Sequence, residues 1–140
     1  MKKYWIASLL LVTTGALLMS YTAPQPAPLK AAMTRGKKVY DEVCMACHQA
    51  DAGGVPRMNP PLIKTKYVLG DKKALIKIVL KGLKGGEVEI DGDRYENPMP
   101  PQESVLTDQQ IADVLTYVRN SFGNKASLVT PAEVKAQRGK

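Results

Sequence analysis

Cys44-Met45-Ala46-Cys47-His48 sets two thiols and an imidazole at a spacing that decides how this chain folds. On a helix, positions three and four apart share one face. Cys44 and Cys47 can therefore bond the two vinyl groups of one porphyrin as thioethers while His48 reaches its iron from the same side, which is the pattern of covalent haem attachment. Two other readings of Cys-x-x-Cys fit poorly. A structural zinc site usually takes four Cys or His ligands, and the chain has two Cys and one His. A redox dithiol would sit in a βαβ setting, but residues 34–46 read as helix with no apolar strand before them. The motif predicts a core built around one covalently bound haem c.

Working outward, the N-terminus reads as an export segment. Lys2 and Lys3 precede an uncharged apolar run from Tyr4 to Met19, then Ser20-Tyr21-Thr22-Ala23, the layout of a secretory signal with a small-residue end. Residues 1–23 are thus expected to be a signal peptide or, if uncut, an N-terminal anchor formed by residues 4–21, whose length approaches a bilayer span. Either form puts the body outside the cytoplasm, in the periplasm or an equivalent compartment. Residues 24–29 are proline-rich and read as an extended linker. Residues 30–140 form the domain. Its aromatics are few: Tyr40, Tyr67, Tyr95, Tyr117 and Phe122. In a domain this small, a haem among Leu, Ile and Val side chains supplies the large flat apolar body that the composition lacks.

The formal charge is +7, and its distribution is uneven. Residues 57–84 carry Arg57, Lys64, Lys66, Lys72, Lys73, Lys77, Lys81 and Lys84 against Asp71 alone, and the following stretch to Asp113 reverses sign. Such a dipole can orient an approaching partner, so a redox protein docking on a lysine-rich face is expected; two solvated faces are the plainer alternative. Nucleic acid is excluded as a partner by export and by the lack of aromatics interleaved with the basic residues.

Along the domain, a first helix is expected from Thr34 into the cysteine motif, with Val39, Tyr40 and Val43 inward. Gly36 within it costs helix stability and implies close approach of another element. A second helix lies between Asp71 as N-cap and Gly82 as terminator, with Leu75, Ile78 and Val79 inward and Lys73, Lys77 and Lys81 outward. Residues 87–96 alternate around Asp91-Gly92 and read as a β-hairpin. A long helix begins at Thr107 with a capping box to Gln110 and a staple between Leu106 and Ile111, burying Ile111, Val114, Leu115 and Val118. A short helix follows from Thr130, with Pro131 first and Glu133 third.

His48 leaves one axial position to fill, and there is no second histidine. Of the methionines past residue 30, Met45 lies inside the attachment turn, Met33 precedes the first helix and Met58 follows a Gly-Gly-Val-Pro loop. Met99 lies in Asn97-Pro98-Met99-Pro100-Pro101, where prolines stiffen a loop that cannot form regular structure. Such a loop suits a side chain aimed at a metal, and Met99 is the expected ligand; Met58 as ligand, or Met99 as packing only, are the alternatives.

These residues resemble a class I c-type cytochrome over essentially all of Lys30 to Arg138. The resemblance rests on Gly36 and Tyr40 ahead of the Cys44–His48 motif, on Asn59-Pro60-Pro61-Leu62, on Met99-Pro100 and on Ile111 to Tyr117. It implies an all-α, cytochrome c-like fold around one haem, with a small β-hairpin before the distal methionine loop. It further implies first and last long helices crossing with Gly36 against Tyr117, a Pro60 carbonyl orienting His48, and His48 and Met99 as axial ligands. The expected role is an exported one-electron carrier rather than an enzyme. A cytochrome subunit of a periplasmic dehydrogenase or reductase is the alternative, ahead of a haem enzyme or gas sensor with an open iron site.

Overall fold

The computed structural model describes residues 27–140. The expected signal or anchor of residues 1–23 and the first part of the linker lie outside the described residues. Helix α1 spans Ala27–Val39, a π-helical turn covers Tyr40–Cys44, and α2 is the single turn Met45–His48. Helices α3 (Lys66–Leu69) and α4 (Lys72–Lys81) follow, then strands β1 (Val88–Ile90) and β2 (Asp93–Tyr95), then α5 (Asp108–Asn120) and α6 (Pro131–Arg138).

The first helix starts earlier than its periodicity suggests. It takes in Ala27-Pro28-Leu29, the last three residues of the stretch read as an extended linker. Proline is tolerated in a first helical turn because its missing N–H would have no partner there, so Pro28 does not bar the helix. The helix is also not uniform. The Met45 amide donates to the Tyr40 carbonyl across a turn one residue wider than an α-turn, an insertion often found at functional sites.

The Gly36 expectation matches the packing. A Cβ built there would lie 2.1 Å from the Asp113 carbonyl oxygen and 2.8 Å from Tyr117 Cβ, so the crossing of α1 and α5 requires glycine. Beside it Arg35 grips the buried Asp113 carboxylate with two bonds of 2.7 and 2.8 Å, and Gln109 donates a third at 3.0 Å. Tyr40, Tyr117 and Phe122 form an aromatic triangle with ring centres 5.4 to 5.6 Å apart, within the range of favourable edge and tilted contacts.

Helix α4 begins as expected, with the Asp71 carboxylate accepting from the Ala74 amide at 2.8 Å. It buries more than one face. Leu75, Ile78 and Val79 line the central cavity, while Ile76 and Leu80, which do not line it, are fully buried in the core. Lys73, Lys77 and Lys81 remain exposed. The hairpin pairs Val88 with Tyr95 and Ile90 with Asp93. Its turn residues Asp91 and Gly92 both have positive φ, as the twist of a two-residue hairpin loop requires.

Capping boxes at Thr107 and Thr130 start α5 and α6. The expected α5 face, Ile111, Val114, Leu115 and Val118, is buried, and so are Ala112, Thr116 and Arg119 on its other sides. Arg119 donates to the carbonyls of Val68 at 2.6 Å and Ser127 at 3.1 Å. At the far end Arg138 reaches the Asp108 carboxylate at 2.6 Å, the Leu106 carbonyl at 2.9 Å and the Glu103 carbonyl, fastening α6 over the segment that precedes α5.

Candidate functional site

The π-turn and α2 carry Cys44, Cys47 and His48 onto one wall of an apolar cavity. The chain turns sharply after His48: Gln49 sits at φ 66°, ψ 164°, a region populated almost only by glycine. Its carbonyl is fastened by the Tyr40 hydroxyl at 2.7 Å and the Ala52 amide at 3.1 Å. This turn starts the loop that returns Pro60 beneath the imidazole. The Gly54 amide donates to the His48 carbonyl at 3.0 Å, and an antiparallel bridge joins Val55 and Asn59.

His48 Nδ1 and the Pro60 carbonyl oxygen are 2.9 Å apart. A carbonyl can only accept, so the proton is on Nδ1 and the Nε2 lone pair is free. Burial pulls the imidazole below its ordinary pKa, with the Pro60 bond acting in the opposite direction, so the ring is neutral near pH 7. Burial, helped by neighbouring Cys47, pushes the Cys44 thiol up to about 11. A redox dithiol has the reverse property, a depressed thiol pKa.

The cavity, taken together with its open mouth, encloses about 1260 Å³ of empty space. Its walls are Leu75, Ile78 and Val79 from α4, Val114, Leu115 and Val118 from α5, and Val88, Ile90 and Tyr95 from the hairpin. Met99 also lines it, the one methionine among the described residues to do so. Met58 is 49% exposed and Met45 37%; neither faces the cavity, nor does Met33. Two backbone bonds hold Met99 against the segment after α4: its amide donates to the Leu83 carbonyl at 2.9 Å, and its carbonyl accepts from the Leu83 amide at 3.0 Å.

The donor set suits a large apolar group carrying a metal. One imidazole, one thioether and two thiols face a cavity walled mainly by apolar side chains, with Asn59, Thr65, Lys84, Asn97 and Gln102 as its polar members. Among the described residues there is no group of three or more His, Cys, Asp or Glu that could hold a bare ion. Of the basic run, Lys84 alone lines the cavity, while Lys64, Lys66, Lys73, Lys77 and Lys81 are exposed elsewhere.

Sequence reasoning missed how the two loops are joined. The Glu96 and Asn97 amides donate to the Arg57 and Met58 carbonyls, both at 3.0 Å, and Asn97 Nδ2 donates to Asn59 Oδ1 at 3.1 Å. The loop carrying Pro60 and the loop carrying Met99 are thus directly attached. The signal was present as a repeated Asn-Pro pair, Asn59-Pro60 and Asn97-Pro98.

The family model described as Cytochrome c matches residues 33–122. Among similar curated proteins, the cytochrome c subunit of a quinone alcohol dehydrogenase from Gluconacetobacter polyoxogenes is 35% identical over 84% of this chain and 25% of its own length. Cytochrome c-552 of Thermus thermophilus is 32% identical over 80% of each chain. The gluconate 2-dehydrogenase cytochrome c subunit of Pantoea cypripedii is 35% identical over 74% of this chain and 24% of its own. The chain spans about a quarter of the length of these dehydrogenase subunits.

Proposed function

From the chain's membership of the cytochrome c family, which makes it a covalent haem c protein of electron transfer, we propose that it is an exported single-haem carrier with His48 and Met99 as axial ligands. The observation that carries the reading is the cavity, in which one imidazole and one thioether are the strong neutral donors beside two thiols at attachment spacing. When bound, haem c supplies a one-electron iron couple.

The residues have separate tasks. Cys44 and Cys47 hold the macrocycle by thioether bonds. Pro60 fixes the tautomer and orientation of His48 through Nδ1, which makes Nε2 a better donor. Met99 would supply the second protein ligand to the iron, exclude external ligands, and as a thioether favour the reduced state relative to a second nitrogen. The stiff loops around both ligands, joined at Asn59 and Asn97, limit rearrangement when an electron moves. These roles are those of a carrier and not of an enzyme. The Lys73, Lys77 and Lys81 stripe of α4, all exposed, supports docking of an acidic redox partner by electrostatic guidance.

Export rests on the Lys2-Lys3 and apolar leader pattern. Among the described residues no helix is long and apolar enough to cross a membrane. A second reading, an electron-transfer subunit of a larger dehydrogenase, is favoured by the names of the relatives. Co-purification with a dehydrogenase after mild extraction supports it, and a freely migrating monomer supports the shuttle. The carrier reading is tested by redox titration together with cyanide binding. A reversible one-electron titration with slow cyanide uptake is expected; rapid cyanide binding by the native ferric protein would indicate an open-site enzyme or sensor instead.

A further inference from the structure

Gly82 ends α4 at φ 72°, ψ −173°, a combination that is essentially closed to residues with a side chain. It is also pressed against the methionine loop. A Cβ at this position would lie 2.3 Å from the Met99 carbonyl oxygen, 2.9 Å from Pro101 N and 3.1 Å from the Pro100 carbonyl carbon. These are backbone atoms, so none can swing aside as a flexible side chain would.

The loop is fastened on both flanks of that contact. On one side are the paired Leu83 and Met99 bonds; on the other the Gln102 amide donates to Val79 O at 3.0 Å and the Glu103 amide to Leu80 O at 3.2 Å. Prolines 100 and 101 between them restrict the backbone further. A side chain at residue 82 therefore leaves two outcomes: α4 unwinds at its end, or Met99 moves relative to the cavity it lines.

We propose that Gly82 is a positioning residue for Met99: by letting the end of α4 press directly on the Met99 carbonyl, it sets how firmly the Met99 thioether is presented to the iron. The proposal rests on the reading of Met99 as axial ligand and goes beyond it. Gly82 does not line the cavity, and its effect is exerted through the loop.

The test compares Gly82→Ala with Gly36→Ala in the full-length ferric holoprotein. Both additions clash with backbone, since a Cβ at Gly36 meets Asp113 O at 2.1 Å, but Gly36 does not line the cavity. Gly82→Ala is expected to weaken or abolish the sulfur-to-iron band in the red, lower the reduction potential and speed cyanide binding by roughly tenfold, the factor set by a modest backbone strain. Gly36→Ala is expected to lose stability while keeping the band. A Gly82→Ala protein with native band, potential and cyanide rate overturns the proposal; so does parallel loss of the band in both variants, which would reduce Gly82 to a general structural role. Absence of the band from the native protein would instead defeat the Met99 reading itself. Should Gly82→Ala not fold, amide exchange in the native protein decides: Leu83 and Met99 amides protected together support the proposal, and a freely exchanging Met99 amide overturns it.

Discussion

Replacing Gln49 by glycine should make the protein more stable, an unusual expectation for a residue next to a proposed metal ligand. Gln49 is held at φ 66°, ψ 164°, and a non-glycine residue there costs about 1–3 kcal/mol. Glycine removes that strain but adds about 0.5–1 kcal/mol of unfolded-chain entropy. Little else is lost, because the side chain is exposed and its one bond, to the Ala46 carbonyl, is stretched to 3.5 Å. From the middle of the two ranges, the net expectation is a gain of about 1 kcal/mol, or roughly 4–5 °C in melting temperature. Guanidinium unfolding of the ferric holoprotein, followed by far-UV circular dichroism, measures it. Gln49→Ala keeps a Cβ and should give no gain. A Gln49→Gly protein that is unchanged or less stable would refute the claim that this turn is strained and that the Tyr40 hydroxyl and Ala52 amide hold it in place.

Three further outcomes follow from the packing. Tyr40→Phe removes the buried hydroxyl that fastens the Gln49 carbonyl, and should cost about 0.5–1.5 kcal/mol in the same unfolding assay. Arg138→Ala loses the Asp108, Leu106 and Glu103 contacts and should cost about 1–3 kcal/mol, seen as a lower guanidinium midpoint with the red sulfur band unchanged. Glu133 gives an acid dependence: burial pushes its carboxyl up, but Lys72 and the Thr130 amide and hydroxyl outweigh burial and hold it below its ordinary value of 4.5. Its contribution is therefore present above pH 4.5 and lost as pH falls through the lower folded value. Amide exchange in α6 should accelerate on acidification in the native chain, and Glu133→Gln should flatten that dependence.

What the sequence makes legible here is whatever is encoded in one or two local contacts. The attachment motif, the capping boxes at Thr107 and Thr130, the Asp91-Gly92 turn and the Gly36 crossing all depend on spacing or on one residue's backbone freedom. Features set by a distant partner are not legible in this way. Ile76 and Leu80 are buried on a second face of α4, which the single apolar stripe of Leu75, Ile78 and Val79 does not announce. Arg119 is charged, yet it is buried because carbonyls from α3 and Ser127 converge on it. The π-turn changes hydrogen-bond register without changing which residue types are apolar. The early start of α1 was hidden by Pro28, whose tolerance in a first turn is easily overlooked in a run of prolines.

The most direct test of the central claim is the visible spectrum of the purified holoprotein, oxidised and reduced, beside that of Met99→Ala. Low-spin spectra in both states, with a red sulfur-to-iron band in the native ferric protein that disappears in the variant, are the expected result. A high-spin native ferric spectrum, or a red band that survives in Met99→Ala, would contradict axial ligation by His48 and Met99.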